Sequence, residues 1–255
     1  MICSGSESES KFIQRIIETI TSTTRKHIGL SDAKYPVGVN PRAEDVELLL
    51  DIESTDVRMI GIQGLGGIGK TTIAKAVYDR IVNHFEASYF LEDVKGKSKE
   101  TLLFEILEDK VLKVGNISKG INLIKERLRS KKILLVLDGV DKSEQIENLL
   151  GNCDWFALGS RVIITTRDRH LLDTLGNVYK TYEVKELDKR EALQLFQKHA
   201  FHGNKPDKGY SKLANQVIHY AKGLPLALKI IGSDLCGRTK FEWESALEKY
   251  EKNSQ

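Results

Sequence analysis

The chain has 255 residues, of which 40% are hydrophobic, so it can bury the core of one large domain or of two smaller ones. Its 39 basic and 36 acidic residues leave a net charge of only +3. Because this balance contains no block of like charge, it argues against a nucleic-acid-binding track.

Residues 1–29 are predicted to form a linker with one amphipathic helix. A stretch rich in Ser and Glu opens the chain, and Phe12, Ile16 and Ile20 then recur at helical spacing. The segment has neither the basic region nor the apolar run of a signal peptide. A turn-rich stretch follows, and a second amphipathic helix is predicted from Ala43 to Asp51.

The most informative stretch is GLGGIGKT at residues 64–71, which fits the phosphate-binding pattern G-x-x-x-x-G-K-[ST]. A predicted buried strand, Val57 to Ile62, precedes it, and a predicted helix, Thr72 to Tyr78, follows. The glycines allow backbone N–H groups to face a polyphosphate, Lys70 can reach the β and γ phosphates, and Thr71 can hold Mg²⁺. A glycine turn without a ligand is the alternative interpretation. The predicted nucleotide contacts in this loop are Gly64, Gly66, Gly67, Ile68, Gly69, Lys70, Thr71 and Thr72.

Strands and helices alternate after this loop, which predicts an α/β domain with a parallel sheet over residues 30–186. The run Ile133 to Asp138 is uniformly apolar, as is typical of a central parallel strand. Other strands are predicted at Ala87–Glu92, Arg161–Thr166 and Val178–Val184, and helices at Leu102–Leu112 and Ile121–Arg129.

The strand signal stops after Glu186, and residues 187–255 are predicted to form an all-α subdomain. Its helices are expected at Arg190–Ala200, Tyr210–Lys222, Leu224–Leu235 and Phe241–Tyr250.

Two charged residues end predicted strands and are candidates for phosphate chemistry. Asp138 stands where P-loop proteins carry the carboxylate that holds Mg²⁺, although acids are common at strand ends and an ordinary loop acid is the alternative. Arg167 ends the next strand, which in the sheet order typical of such proteins lies between the P-loop strand and the Asp138 strand. It would then face a terminal phosphate, which a guanidinium binds in bidentate fashion. A surface arginine at the end of the strand is the alternative.

Metal and covalent chemistry outside the P-loop are not indicated. His199 and His202 have no third ligand nearby in sequence, which favours packing or surface roles. The three cysteines have no metal-ligand spacing, and their odd number argues against a disulfide framework and favours a reducing compartment. The longest strongly apolar run, Ile133 to Leu137, is too short to span a bilayer. We expect a cytoplasmic or nucleo-cytoplasmic protein without a membrane partner.

Several motifs occur in the order found in one known family. The sequence resembles the NB-ARC nucleotide-binding module of plant intracellular immune receptors, in the branch with an N-terminal TIR domain, over residues 30–250. This family belongs to the STAND class of P-loop NTPases. The motifs are Gly64–Thr72, Phe90–Val94, Leu134–Asp138, Gly159–Arg167, Leu187–Phe201 and Gly223–Leu228.

The resemblance implies a molecular switch in disease resistance rather than a fast enzyme. Such modules hold ADP at rest, exchange it for ATP on activation and then self-associate. By the same resemblance, Pro225 is expected to lie against the nucleotide and Val39 near the adenine. Residues 187–255 correspond to the first ARC subdomain. The TIR, second ARC and leucine-rich-repeat domains are expected to lie outside this sequence, so TIR NADase activity is not assigned to it.

One departure from the family bears on catalysis. Family members usually have two aspartates at the end of the Asp138 strand, whereas this chain has Asp138-Gly139. The second acid would position the attacking water, and Asp141 is a poor substitute for it. We therefore expect at most weak ATP hydrolysis through Lys70, Asp138 and Arg167, with nucleotide binding retained. The alternatives are a turnover ATPase of the AAA type, a scaffold that no longer binds nucleotide and, third, a nucleic-acid-binding role.

Overall fold

The computed structural model describes residues 30, 33–97, 125–126, 128–150, 155–173, 179–202 and 208–252. The predicted linker helix within residues 1–29 and the predicted helix at 102–112 lie outside the described residues, as does most of the helix predicted at 121–129. Among the described helices, none combines the length and apolarity needed to cross a bilayer.

Every predicted strand is present within two residues of its predicted bounds. The strands are β1 (Arg58–Gln63), β2 (Ala87–Leu91), β3 (Ile133–Val140), β4 (Arg161–Thr166) and β5 (Tyr179–Glu183). The helices are α1 (Val39–Leu50), α2 (Lys70–Ile81), α3 (Ser143–Leu150), α4 (Arg169–Asp173), α5 (Lys189–Ala200), α6 (Ser211–Ala221), α7 (Pro225–Leu235) and α8 (Lys240–Lys252). Residues 125–126 and 128–130 are also helical. Helix α1 begins four residues before its predicted start, directly after Gly38, whose φ is +70°.

The five strands form one parallel sheet in the order β2-β3-β4-β1-β5. Because side chains alternate along a strand, the inner strands contribute to two apolar cores, one on each face of the sheet. Leu135 and Val162 belong to the core on one face, whereas Val136 and Ile163 belong to the core that α1 and α2 cover. In this strand order β4 lies between β3 and β1, as predicted. Because all the pairings are parallel, the carboxyl ends of the five strands meet at one edge. The α/β parallel-sheet fold class is confirmed.

Helices α5–α8, called the helical unit below, have an apolar core of their own. Phe196 and Trp243 lie at its centre with their ring centroids 5.6 Å apart, and the Trp243 indole N–H donates to the Leu235 carbonyl at 2.8 Å. Helix α5 begins with a capping box between Asp188 and Glu191, which satisfies N–H groups that a helix start leaves open. The predicted domain bounds at residues 30, 186 and 187 stay predictions.

The start of β4 is held by a buried cation. The Arg161 side chain has 0% exposure, and its guanidinium donates only to backbone carbonyls. Burial lowers the pKa of Arg161, an effect that the nearby Asp56 carboxylate partly offsets. The accepting carbonyls belong to Leu50, Asp51, Ser54, Asp56 and Ser160. One side chain thus joins the end of α1, the loop before β1 and the start of β4.

The end of β3 contains a backbone irregularity at Gly139. The pairing of β3 with β4 shifts register between Leu137 and Val140, and Gly139 has a φ of +77°. Its N–H donates to the Thr165 hydroxyl at 2.8 Å. A Cβ on Gly139 would have room, since the nearest atom, Asp93 Cα, would be 3.8 Å away. The backbone conformation, rather than space, therefore favours glycine here.

Replacing Arg161 by lysine is expected to lower the free energy of unfolding by at least about 3 kcal/mol, because an ammonium has three donors and cannot satisfy the five carbonyls that the planar guanidinium reaches. Urea denaturation would measure the change. Arg58→Lys is the matched control, since Arg58 bonds the exposed carboxylates of the same loop and should change stability far less. Equal losses in the two variants would contradict a special role for Arg161.

Gly139→Ala is expected to destabilise the fold by about 1–2 kcal/mol, the cost of a left-handed conformation for a residue with a Cβ. Gly139→Asn should cost less, because asparagine adopts this conformation more readily. Thermal melts of the two variants would test the order. If alanine and asparagine are equally well tolerated, the backbone at Gly139 relaxes and the positive φ is not required.

Candidate functional site

A cavity of about 720 Å³ lies at the carboxyl edge of the sheet. The loop between β1 and α2, the ends of β3 and β4, the segment before α1 and helices α5 and α7 enclose it. Every residue predicted to bind nucleotide or Mg²⁺ lines this cavity except Gly64. Those that line it are Val39, Gly66, Gly67, Ile68, Gly69, Lys70, Thr71, Thr72, Asp138, Arg167 and Pro225.

Gly64, the first residue of the loop, is not part of the cavity lining. A Cβ there would be 3.1 Å from Ile68 Cγ2 and 3.2 Å from the Val184 carbonyl oxygen. Glycine thus allows the loop to pass close to the segment after β5. The Gly64 carbonyl accepts a hydrogen bond from Lys70 Nζ at 2.8 Å, so this residue contributes a backbone oxygen rather than a cavity wall.

The loop and the start of α2 form a cradle for an anion. Helix α2 begins at Lys70, so the open N–H groups of its first turn face the cavity end of the loop. Gly69 has a φ of +103°, and a Cβ on it would meet nothing within 4 Å. Lys70 folds back over the loop and donates to the Gly64 and Leu65 carbonyls at 2.8 and 2.9 Å. Burial, and then the charge of Arg167, lowers the pKa of Lys70, and a bound phosphate would offset both effects.

The predicted Mg²⁺ ligands are in direct contact. The Thr71 hydroxyl donates to the two Asp138 carboxylate oxygens at 2.9 and 3.1 Å, and the Thr165 hydroxyl donates to Oδ1 at 2.6 Å. Asp138 is only 7% exposed. One carboxylate beside one hydroxyl suits Mg²⁺, which keeps water and takes phosphate oxygens as further ligands. No cluster of three or more His, Cys, Asp or Glu ligands is present among the described residues.

Arg167 lies over the loop that precedes α2. A Cβ on Gly66 would be 3.0 Å from Arg167 Cζ, so the glycine leaves room for the guanidinium. Arg167 makes no ion pair or hydrogen bond within the part of the chain that the structure describes. Its donors are therefore free for a ligand, which favours the phosphate interpretation over that of an arginine that merely ends a strand.

Helix α7 closes the cavity from the side of the helical unit. The Leu226 N–H donates to the Gly67 carbonyl at 3.2 Å, and a Cβ on Gly67 would be 2.7 Å from Leu226 Cβ. Pro225 is at the first turn of α7, where its missing N–H costs no helical hydrogen bond. In the turn before α7, the Gly223 carbonyl accepts a hydrogen bond from the Leu187 N–H at 3.0 Å. No sequence pattern predicted the hydrogen bond between Leu226 and Gly67.

The end of the cavity near Val39 contains residues that sequence reasoning missed. Tyr35 stands edge-on to His199 with ring centroids 5.0 Å apart. Burial, followed by the charges of Lys229, Lys34 and His202, lowers the pKa of His199. His199 therefore lines the cavity in addition to packing against Tyr35, whereas His202 lies by Cys236, with 3.2 Å between Nε2 and Sγ. Other wall residues that were missed include Leu187, Leu195 and Lys229.

Comparisons with known proteins identify the family to which the chain belongs. The family model described as NB-ARC domain matches residues 43–206. The chain is 41% identical to TMV resistance protein N of Nicotiana glutinosa, covering 97% of this chain and 22% of that protein. It is 42% identical to disease resistance protein RPV1 of Vitis rotundifolia, covering 84% of this chain and 16% of that protein. The chain thus spans about a fifth of the length of these relatives.

A solved structure gives independent support for the fold. Cdc6p from Pyrobaculum aerophilum superimposes with a TM-score of 0.62 over 87% of this chain and 66% of its own, at 14% sequence identity. At this identity the likeness concerns the fold alone. The family match, the two plant relatives and the P-loop at the edge of a parallel sheet together show that the chain belongs to the NB-ARC family.

Proposed function

We propose that this chain is the ADP- and ATP-binding switch of a plant disease-resistance receptor, bound to ADP at rest and hydrolysing ATP weakly or not at all. The observation that carries the proposal is the single cavity shared by the P-loop, Asp138, Arg167 and the start of α7. The names of the relatives support the role in disease resistance. The compartment that fits this role is the cytoplasm or the cytoplasm and nucleus.

The P-loop side of the cavity accounts for binding of the diphosphate. Lys70 Nζ, which donates to two backbone carbonyls of the loop, would donate to phosphate oxygens in their place. Thr71 and Asp138 would hold Mg²⁺, which would neutralise phosphate charge when bound. At the other end, Val39 and Pro225 would contact the nucleoside.

The contact between the helical unit and the phosphate loop supports a switch function. Because Leu226 bonds the Gly67 carbonyl, the helix that carries Pro225 lies directly against the phosphate loop. A nucleotide between them would contact both units at once, so its identity can bias how they sit together. Self-association and contacts with TIR, second ARC and leucine-rich-repeat domains would follow from that bias.

We infer weak hydrolysis because neither position 139 nor Asp141 offers a carboxylate that could position the attacking water. Gly139 has no carboxylate to position a water molecule. Asp141 also lines the cavity, but its Oδ1 accepts from Gln145 Nε2 at 3.0 Å, and Gln145 Oε1 in turn accepts from the Asp141 N–H. This local ring holds the Asp141 carboxylate at the start of α3. Steady-state ATP turnover by the wild-type chain would contradict the switch and favour a turnover ATPase.

The binding proposal predicts that Lys70→Ala loses most of the stabilisation that ADP gives. At about 100 times its dissociation constant, ADP should stabilise the wild-type chain by roughly 2.7 kcal/mol. Melting curves with and without ADP and Mg²⁺ measure this. Lys75→Ala is the control, because Lys75 lies on the same helix and pairs with Glu92 outside the cavity. A wild-type chain without any ADP shift would reject nucleotide binding, and a full shift in Lys70→Ala would reject the role of Lys70.

Arg167→Ala is expected to weaken ATP binding by about 1–3 kcal/mol and ADP binding much less, because the free guanidinium would pair with the γ-phosphate. Calorimetric titration with each nucleotide and Mg²⁺ measures the difference. Arg169→Ala, two residues along the chain and outside the cavity lining, is the matched control. Equal losses for ADP and ATP would show that Arg167 serves the shape of the loop instead.

A further inference from the structure

A bidentate ion pair joins α1 to the helical unit. Arg42 Nη1 and Nη2 donate to the two carboxylate oxygens of Glu191 at 2.9 and 3.0 Å, across 149 residues of sequence. The side chains are only 16% and 19% exposed. A forked pair that is this well covered is stronger and more directional than an exposed ion pair. Each partner shifts the other accordingly: Arg42 lowers the pKa of Glu191, and Glu191 raises that of Arg42.

Both partners are also tied to the backbone around them. Arg42 donates to the Gly38 carbonyl at 2.7 Å and to the Glu186 carbonyl at 3.2 Å. Glu191 accepts from the Asp188 N–H at 3.1 Å, as part of the box that starts α5. The pair therefore connects three places: the turn before α1, the segment after β5 and the first turn of the helical unit.

The pair is adjacent to the cavity wall. A Cβ on Gly38 would be 2.6 Å from both Arg42 Nη1 and Glu191 Oε1, so the two side chains close over a glycine. Gly38 and Val39 line the cavity at the end where the nucleoside is expected. Movement of the pair would therefore move this wall.

Arg42 also lines the cavity, which raises the alternative that it binds nucleotide directly. Its hydrogen bonds argue against this. A guanidinium has five N–H donors, two on each terminal nitrogen and one on Nε. Nη1 donates to the Gly38 carbonyl and to Glu191, and Nη2 donates to the Glu186 carbonyl and to Glu191. Both N–H groups of each terminal nitrogen are therefore used within the protein.

We propose that Arg42 and Glu191 form a latch that holds the helical unit closed over the nucleotide and acts on affinity without touching the ligand. This proposal rests on the proposed nucleotide binding. Closure and binding are linked, so a latch that favours the closed arrangement raises nucleotide affinity, and bound nucleotide protects the latch. Both residues are positioning residues in this scheme.

The test is a double-mutant cycle of Arg42→Gln and Glu191→Gln, with the ADP dissociation rate as the readout. Glutamine at position 191 can still complete the capping box, so this variant removes the ion pair and leaves the start of α5 intact. Each single variant should release ADP about tenfold faster, and the double variant no faster than the singles, because one interaction is lost in all three. Arg80→Gln is the control, since it breaks pairs from α1 to α2 that do not reach the helical unit.

Two outcomes would overturn the latch. Unchanged ADP release in both single variants would show that the pair does not control closure. Additive losses in the double variant would mean that Arg42 and Glu191 act separately, as a direct ligand contact of Arg42 would.

Hydrogen exchange separates the failure of this proposal from the failure of nucleotide binding. In the ADP-free chain, the amides of residues 186–192 should exchange faster in both single variants than in the wild type and in Arg80→Gln. If the wild type does not bind ADP, the proposed function fails, while exchange still decides whether the pair joins the two units. Wild-type exchange rates in both single variants would reject the latch even if ADP binds.

Discussion

The buried guanidinium of Arg161 is the contact on which the geometry of the site depends. It ties the start of β4 to the end of α1 and to the loop before β1 through five backbone carbonyls. Because β4 is thereby fixed between β1 and β3, its other end must emerge beside the P-loop. That end carries Thr165, which bonds Asp138, and Arg167, which lies over Gly66. A structural cation at one edge of the sheet thus places the phosphate chemistry at the opposite edge.

The two units are joined by apolar packing and by backbone hydrogen bonds: Leu224 packs against the core that α1 and α2 cover, and Tyr35 and Val37 pack against the core of the helical unit. Leu226 donates to the Gly67 carbonyl, so an N–H group that the start of α7 leaves open is satisfied across the boundary. The Arg42–Glu191 pair adds a charged contact at the other side of the cavity. Polar and apolar contacts together therefore hold the helical unit beside the phosphate loop.

The fold and much of the site were predictable from local pattern. The P-loop spacing, the apolar strands and the acid at position 138 are short-range signals, and the strand bounds agree within two residues. Thr71 and Asp138 were each predicted to hold Mg²⁺, and the structure places them in hydrogen-bond contact. The backbone conformation of Gly139 was not predictable from local pattern. Its φ of +77° shows a backbone requirement where the sequence showed only a missing acid.

The sequence by itself determined the class of protein and predicted a phosphate cradle and Mg²⁺ ligands, because each depends on neighbours in the chain or on a fixed spacing. Only the tertiary structure decided the rest of the cavity wall. Tyr35, His199 and Lys229 come from different segments and share no periodicity, so no local pattern could group them. The same holds for Arg42 and Glu191, which are 149 residues apart. Ordinary charged residues on two amphipathic helices become partners only when packing of both helices against their cores brings their polar edges together.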